Sequence, residues 1–270
     1  MTHRLHAHAV TLRYDERTIS SGLTIALPDG AFTVIVGPNA CGKSTLLRAM
    51  ARLLKPSTGD VILDGRDIAD FPTREIARRL GLLPQSAVAP SGITVADLVA
   101  RGRYPHQSFF RQWSKADEAA VAAAIQATRI TELSDRPVDE LSGGQRQRVW
   151  IAMILAQETP ILLLDEPTTF LDIAHQIELL DLLTDLNAAG RTVVAVLHDL
   201  NHACRYATHL VAMREGMILA EGHPSDVVTE KLVETVFGLQ CTVIDDPVSH
   251  TPLIVPLGRH RAVRRRNSAQ

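Results

Sequence analysis

A segment of nine residues, positions 37 to 45, combines the residue types that bind phosphate groups. Its sequence, GPNACGKST, fits the pattern G-x-x-x-x-G-K-[ST] of a phosphate-binding loop. Glycines let backbone N–H groups close around the phosphates, while Lys43 reaches the β- and γ-phosphates of a nucleotide and Ser44 can bind Mg²⁺. The segment therefore predicts a nucleotide site formed by Gly37, Pro38, Asn39, Ala40, Cys41, Gly42, Lys43, Ser44 and Thr45.

Two carboxylates follow an apolar run farther along the chain. Asp165 and Glu166 come directly after residues 161–164, which we expect to form a buried strand. Open α/β sheets bind ligands at the C-terminal ends of their strands. We therefore expect Asp165 to hold Mg²⁺, through a water molecule because this ion dehydrates reluctantly, and Glu166 to position or deprotonate the attacking water. Without the phosphate-binding loop, the pair would be equally compatible with a solvated strand end.

Two further polar side chains stand at the ends of strand-like segments. His198 follows the apolar residues 192–197, and its imidazole could contact a γ-phosphate. Gln85 ends the segment GLLPQ, and its amide oxygen could join the shell of Mg²⁺ or of the attacking water. A histidine after an apolar run is more often structural, so spacing alone does not decide between the two roles of His198.

A second device for binding an anion begins at Leu141, in the segment LSGGQ. The residues after it, RQRVWIAMILAQ, have the pattern of a helix, so Ser142, Gly143, Gly144 and Gln145 lie at the positive end of its dipole. The alternative is a simple N-terminal cap with glycines in the preceding turn. From the residues alone, the two interpretations are equally compatible with the segment.

Short apolar segments indicate the strands that position these side chains. A turn at 28–30 separates two of the early strands, and a helix is expected to begin near Lys43. Strands that alternate with helices predict an α/β fold. The expected strands are 8–14, 23–27, 31–36, 81–83, 161–164 and 192–197.

The remaining segments are predicted to be a helical insert and a C-terminal hairpin with a helix. Strand signals stop between 93 and 139, and the alanine-rich residues 115–128 have high helix propensity. Residues 209–221 predict a hairpin that turns about Arg214-Glu215-Gly216. Ser225 is expected to cap a helix that ends near Gly238.

Composition limits the class of protein further. The 270 residues are 46% hydrophobic and carry a formal net charge of -2, so no global field attracts nucleic acid, which we do not expect as a partner. The three cysteines have no zinc or redox spacing, which suits a reducing compartment. The apolar runs are shorter than the roughly 18 residues of a membrane-spanning helix, so another chain would have to cross any membrane that this protein serves.

The combined motifs resemble those of ATP-binding cassette (ABC) ATPases. The loop at 37–45, Gln85, LSGGQ, ILLLDE and His198 occur in that family's order, over a region from about 8 to 240. The resemblance implies a P-loop NTPase core of mostly parallel sheet, with an N-terminal antiparallel β subdomain and a helical insert. It also implies an ATP-binding domain at 3–240, with a helical subdomain at about 93–157 and a C-terminal extension at 241–270 that ends in a basic tail.

The same resemblance implies a head-to-tail dimer with two ATP molecules between the copies. Ser142, Gly143, Gly144 and Gln145 of one copy would close over the γ-phosphate held by the loop of the other. Tyr14 would stack on adenine, and Asp172, in the segment TTFLD, would lie at the dimer seam. The family's loop more often has glycine or serine where this chain has Ala40 and Cys41, which keeps the backbone cradle and adds a thiol.

Three further segments resemble the ATPase subunits of ferric-siderophore importers, whose relatives carry haem and vitamin B12. They are VARGRYPHQ at 99–107, EPTTFLD at 166–172 and DLNHACRYATHLVAMREGMILAEGHP at 199–224. This resemblance implies a peripheral subunit on the cytoplasmic face of the cell membrane. Its helical insert would dock a cytosolic helix of an integral membrane permease near Gln85, and a substrate-binding protein would act indirectly.

Other functions stay open at this point. A haem or cobalamin importer would share the same ATPase motifs, and chain length does not exclude a soluble ABC ATPase of iron–sulfur assembly. A P-loop GTPase or small-molecule kinase would have no use for LSGGQ, and the chain lacks the base-reading motif Asn-Lys-x-Asp.

Overall fold

The computed structural model of the chain describes residues 3–107 and 113–258. The basic tail predicted at 259–266 lies outside these ranges. Across the described ranges, every helix is too short or too polar to span a lipid bilayer.

The described residues form twelve β-strands, nine α-helices and four short 3-10 helices. The strands are β1 (Leu5–Tyr14), β2 (Arg17–Leu27), β3 (Phe32–Val36), β4 (Thr58–Leu63), β5 (Arg66–Asp67), β6 (Leu80–Leu83), β7 (Ile161–Asp165), β8 (Thr192–Val196), β9 (His209–Arg214), β10 (Met217–Gly222), β11 (Cys241–Asp245) and β12 (Pro252–Pro256). The α-helices are α1 (Lys43–Met50), α2 (Thr73–Ala77), α3 (Val95–Ala100), α4 (Lys115–Ala127), α5 (Gly143–Ala156), α6 (Ile173–Ala188), α7 (Leu200–Tyr206), α8 (Pro224–Val227) and α9 (Glu230–Phe237). The 3-10 helices are Ile68–Asp70, Arg101–His106, Thr131–Leu133 and Val138–Glu140.

The central sheet has six strands in the order β10-β9-β3-β8-β7-β6. β3, β6, β7, β8 and β9 are parallel, and β10 pairs with β9 in the antiparallel sense. Every residue of β3, β7 and β8 is buried, as expected for a parallel sheet covered on both faces. The sequence prediction of a mostly parallel sheet is therefore confirmed, and so are the predicted strands that lie in it.

A second sheet, antiparallel, has the order β2-β1-β4-β5 and covers one face of the central sheet. The sequence predicted β1 and β2 as shorter strands, 8–14 and 23–27, and did not predict β4 or β5. In β4 only Val61 and Leu63 are buried, while the first three residues of the strand are exposed. Because the polar residues Thr58 and Asp60 give no alternating apolar pattern, pairing with β1 is what makes this segment a strand.

Two apolar clusters lie on the two faces of the central sheet. The first lies between the sheet and the layer of α3 to α7, and the second lies between the sheet, α1 and the antiparallel sheet. Successive residues of β7 alternate between them, with Leu162 and Leu164 in the first cluster and Ile161 and Leu163 in the second. The sheet is thus held rigidly from both sides, which fixes the side chains at its C-terminal edge.

The predicted helical insert consists of α3, α4 and α5 with the connecting 3-10 helices. The helix expected at 115–128 is α4, and it begins at a capping box in which Ser114 Oγ accepts a hydrogen bond from Asp117 N at 3.3 Å. The buried side chain of Arg103 links α4 to the residues that follow α5. It donates to Asp117 Oδ1 at 2.8 Å and to Glu158 Oε2 at 2.6 Å, so its charge is paired on both sides.

The hairpin predicted at 209–221 is confirmed as β9 and β10, which turn at Glu215 and Gly216. The single helix predicted between Ser225 and Gly238 is wrong. His223 caps the short α8, Val228 is extended, and Thr229 starts the separate helix α9 by accepting a hydrogen bond from Leu232 N at 3.1 Å. A β-branched pair before a good N-cap residue favours this break, although α9 does end at Gly238 in the left-handed conformation, as predicted.

Candidate nucleotide-hydrolysis site

The phosphate-binding loop connects β3 to α1, as the sequence predicted. Gly37 has a φ of 154°, and a Cβ at this position would lie 2.2 Å from the carbonyl oxygen of Met213. Gly42 precedes α1 with a φ of 108°. A residue with a Cβ would clash at Gly37 and would be strained by the positive φ at both positions. Glycine at these two positions therefore allows the tight turn of the loop at the start of the helix.

The loop presents positive charge and free donors. Among the described hydrogen bonds, none uses the backbone N–H of Gly42, Lys43 or Ser44, which are the orphan donors at the start of α1. The Lys43 ammonium lies inside the loop, where it donates to the carbonyl oxygens of Gly37 at 2.8 Å and Pro38 at 2.9 Å. Donors and a helix N-terminus in this arrangement suit a bound phosphate.

Cys41 is buried beneath the loop rather than exposed on it. Its Sγ atom lies 3.9 Å from Lys43 Nζ, and the residue belongs to the second apolar cluster. The thiol that departs from the family's glycine or serine therefore packs into the second apolar cluster.

Asp165 ends β7 directly beside the loop. Ser44 Oγ donates a hydrogen bond to Asp165 Oδ1 at 2.8 Å, so the two predicted Mg²⁺ ligands adjoin each other. Burial raises the pKa of the Asp165 carboxyl, an effect that the Ser44 hydrogen bond opposes and the nearby charge of Glu166 reinforces. A cation bound here would favour the ionised carboxylate and offset the cost of burying it.

Glu166 is held from two sides by the other two predicted residues. Gln85 Nε2 donates to Glu166 Oε2 at 2.8 Å, and His198 Nε2 lies 2.8 Å from Glu166 Oε1. The Glu166 backbone has a φ of 54°, a conformation that costs energy for a residue with a side chain and that clusters at functional sites. The Glu166 side chain is 11% exposed and that of His198 is 45% exposed. Glu166 is therefore mostly buried, whereas His198 is accessible to solvent.

A pocket of about 400 Å³ brings the loop and these side chains together. Two lining residues, Arg17 and Ile19, were not predicted from the sequence, since the polar start of β2 carries no motif. Tyr14 is not among the lining residues; its backbone pairs with that of Arg17, and its hydroxyl accepts a hydrogen bond from Arg48 at 3.2 Å. The lining residues are Arg17, Ile19, Asn39, Ala40, Cys41, Gly42, Lys43, Ser44, Thr45, Gln85, Glu166 and His198.

The segment LSGGQ forms the start of α5 and does not line this pocket. Ser142 Oγ accepts a hydrogen bond from Gln145 N at 3.2 Å, and Gln145 Oε1 accepts one from Ser142 N at 3.0 Å. Gly143 and Gly144 lie next to Phe170 and Leu171. None of the four residues lines the pocket. Within one copy of the chain, LSGGQ and the phosphate-binding loop therefore do not contact the same phosphate.

Asp172 lies close to the same region, at the start of α6. Its Oδ1 atom accepts a hydrogen bond from His175 N at 2.9 Å and lies 2.8 Å from His175 Nδ1. These contacts hold the pKa of the Asp172 carboxyl below its ordinary value, the backbone bond having the larger effect. The side chains of Phe170 and Ile173, on either side of the Leu171-Asp172 pair, are exposed.

The residues present fit MgATP as the bound group. The orphan N–H donors and Lys43 match the phosphates, while Ser44, Asp165 and the amide oxygen of Gln85 are the hard oxygen ligands that Mg²⁺ prefers. Within 3–107 and 113–258, no three His, Cys, Asp or Glu side chains gather into a metal site. Mg²⁺ is commonly bound by one or two carboxylates together with substrate phosphates, which suits Asp165 beside the phosphate-binding loop.

Comparison with known proteins agrees with this geometry. Residues 20–169 match the family model of the ABC transporter. The ferric enterobactin transport ATP-binding protein FepC of Escherichia coli (strain K12) is 60% identical over 257 residues, which cover 95% of each chain. The siderophore transport system ATP-binding protein YusV of Bacillus subtilis (strain 168) is 55% identical over 260 residues, 96% of this chain and 94% of the relative.

A similar solved structure is that of a metal-chelate type ABC transporter in an inward-facing conformation. It has a TM-score of 0.80 at 28% sequence identity, and the match covers 96% of this chain and 98% of that chain. The sequence match and the fold agree over nearly the whole length. The chain therefore belongs to the ABC transporter family, as an ATP-binding subunit.

Proposed function

We propose that the chain hydrolyses ATP to energise uptake of iron(III)–siderophore complexes through a separate membrane permease. The observation that carries the hydrolytic part is Glu166, which Gln85 and His198 hold at the edge of the phosphate-binding loop. FepC, a ferric enterobactin transport protein, is 60% identical to this chain, and YusV, a siderophore transport protein, is 55% identical. These two relatives support iron(III)–siderophore complexes as the cargo.

Hydrolysis would follow from the positions of these side chains. Lys43 and the orphan N–H groups bind the β- and γ-phosphates, and Glu166 orients water for in-line attack on the γ-phosphorus. The new P–O bond forms as the bond to the bridging oxygen breaks, and Glu166 is placed to accept the proton of the water. His198 and Gln85 hold the Glu166 carboxylate in this position.

Ser44, Asp165 and Gln85 are the residues that would hold Mg²⁺. The ion would neutralise charge that develops on the phosphate oxygens when it is bound. Tyr14 stays a predicted adenine contact, and Arg17 and Ile19 are better placed to line the nucleotide pocket in a single copy.

Two copies of the chain would be needed for each hydrolysis site. Ser142, Gly143, Gly144 and Gln145 form a helix start that does not line the pocket of their own copy. A head-to-tail dimer would place this signature over the nucleotide of the partner copy, with Asp172 and the exposed Phe170 and Ile173 at the seam. Burial of these two apolar side chains would contribute to dimer stability.

The helical insert is the proposed docking region for the permease. Val88, three residues after Gln85, is 89% exposed, and Tyr104 is 59% exposed on the 3-10 helix 101–106. That helix is held firmly, since Arg74 and Arg78 donate to the carbonyl oxygen of Pro105 at 2.9 Å and 2.6 Å. A rigid base that presents an exposed aromatic side chain is typical of a binding hot spot.

This function implies the location and domain roles that the sequence resemblance predicted. The chain would be peripheral on the cytoplasmic face of the cell membrane, and a substrate-binding protein would deliver cargo to the permease from the other side. Residues 3–240 would be the ATP-binding domain with the docking subdomain at about 93–157, and 241–270 would be a C-terminal extension.

A pull-down from native membranes tests the proposed partner. Tagged Glu166→Gln chain is incubated with ATP, and the integral proteins recovered are identified by mass spectrometry. We expect a polytopic permease, and we expect Tyr104→Asp to reduce its recovery severalfold because a charge would be placed at the docking face. Leu53→Asp is the matched control, since Leu53 is 67% exposed and lies outside the insert.

The recovered proteins also separate the proposal from its alternatives. A permease whose associated binding protein takes iron chelates supports the proposed cargo, whereas one that takes haem or cobalamin replaces it. Recovery of soluble partners alone would contradict the transport role and favour iron–sulfur assembly.

A further inference from the structure

An asparagine side chain joins the helix that follows His198 to the C-terminal hairpin. Asn201 lies in the first turn of α7, three residues after His198. Its Oδ1 atom accepts a hydrogen bond from Ile254 N at 2.8 Å, and its Nδ2 atom donates to Ile254 O at 3.4 Å. One side chain thus binds both backbone groups of one residue in β12, as a neighbouring strand would.

The hairpin is fixed at its other edge as well. Val243 in β11 lies directly opposite Ile254, and Val243 N donates to Glu230 Oε1, in the first turn of α9, at 3.3 Å. Ile254 is buried in the first apolar cluster together with Ala203 of α7 and Val233 of α9. The hairpin is therefore held between α7 and α9 and provides a firm support for the start of α7.

An apolar cleft borders the start of α7. The cleft has a volume of about 280 Å³ and is lined by His198, Asn201, Phe237, Leu239 and Ile254, among others. Asn201 and Ile254 both line this cleft, and their two hydrogen bonds join the start of α7 to β12.

We infer that Asn201 is a positioning residue for ATP hydrolysis. It fixes the first turn of α7 against β12 and thereby determines where His198 Nε2 meets Glu166 Oε1. The inference rests on the proposed role of His198 in hydrolysis. It assigns a function to the C-terminal hairpin, which none of the sequence motifs covers.

The Asn201→Ala variant tests the inference. We expect its kcat for ATP hydrolysis to fall about tenfold, since small displacements of catalytic groups cost that much or more, while its Kd for ATP changes less than about twofold. Asn187→Ala is the matched control. Asn187 also binds two backbone groups, the carbonyl oxygens of Gly30 and Arg191, both at 2.8 Å, but neither belongs to the nucleotide pocket.

The Asn187→Ala control distinguishes displacement of His198 from a general loss of protein stability. Both variants are expected to lower Tm, and only Asn201→Ala is expected to lower kcat. Asn201→Asp keeps the acceptor for Ile254 N–H but places a carboxylate oxygen opposite the Ile254 carbonyl oxygen, which repels it, so its kcat should fall as well. Equal kcat losses in Asn201→Ala and Asn187→Ala would overturn the inference.

A second comparison shows whether Asn201 acts through His198. In a His198→Ala background, the residual single-turnover rate should not change when Asn201→Ala is added, because the side chain to be positioned is already missing. A further tenfold loss would contradict the inference. If His198→Ala by itself left hydrolysis at the parental rate, the role proposed for His198 would fail instead.

Discussion

Glu166→Gln protein is expected to bind ATP with the affinity of the parent but to hydrolyse it about a thousandfold more slowly, within the range for loss of a general base. An amide can still contact Gln85 and His198, so the shape of the site is kept. It cannot accept a proton from the attacking water. Phosphate release under single-turnover conditions measures the rate, and equilibrium binding measures the affinity.

The matched control is Glu118→Gln, which removes the same charge from the exposed surface of α4. This variant should hydrolyse ATP at the parental rate. Because ATP stays bound to the slow variant, Glu166→Gln protein should also accumulate as a dimer with ATP, as seen by light scattering. Parental turnover in Glu166→Gln protein would show that Glu166 does not activate the water.

Two inactive variants are expected to restore hydrolysis when they form a mixed dimer. Lys43→Ala damages the phosphate-binding loop, and Gly144→Asp places a negative charge in the signature that faces the partner's γ-phosphate. Each homodimer then has two damaged sites and should lose about a hundredfold or more of the parental rate. A mixed dimer has one site in which both the loop and the signature are intact.

Random mixing makes half of the dimers mixed, so single-turnover hydrolysis should return to about a quarter of the parental amount. Gly144 is a suitable position because, outside its own helix, an added Cβ would meet no atom closer than 3.4 Å. The control mixes Lys43→Ala protein with Glu166→Gln protein, both of which damage the same half of the site. Equal recovery in both mixtures, or none in either, would contradict the head-to-tail arrangement.

The sequence predicted the parts of the site that are local. The phosphate-binding loop is contiguous, and Gly37 and Gly42 occupy two of its three positions with positive φ, Ala40 being the third. The strand before Asp165 is recognisable because all of its residues are apolar and buried, and the helix after Ser142 because a capping box precedes an apolar, mostly buried second half. These features depend on neighbours in the chain, which a single sequence records.

The parts that the sequence did not predict depend on distant pairing. Glu166 meets Gln85 and His198 because β6, β7 and β8 lie side by side in register. Arg17 lines the pocket because β2 pairs with β1, although its own segment is polar. The Asn201 contact with Ile254 joins residues 53 positions apart and has no local signal.

The C-terminal hairpin is a different case. Its strands carry alternating or continuous apolar residues, TVI in β11 and LIV in β12, separated by the turn-forming segment DPVSH. These signals were available in the sequence, and the prediction treated the whole region only as an extension. These apolar residues have a structural role, because Ile254 packs in the first apolar cluster together with Ala203 of α7.

Uptake of radiolabelled iron–siderophore by cells tests most directly whether ATP hydrolysis at this site drives siderophore import. Cells that lack the parent gene receive the parental chain, Glu166→Gln or Glu221→Gln, at matched expression; Glu221 is an exposed carboxylate of β10, outside the insert and the nucleotide pocket. We expect that the parental and Glu221→Gln chains restore uptake, that Glu166→Gln does not, and that haem and cobalamin uptake is the same in all strains. Uptake restored by Glu166→Gln, or iron uptake that does not depend on the chain, would contradict this role of the site.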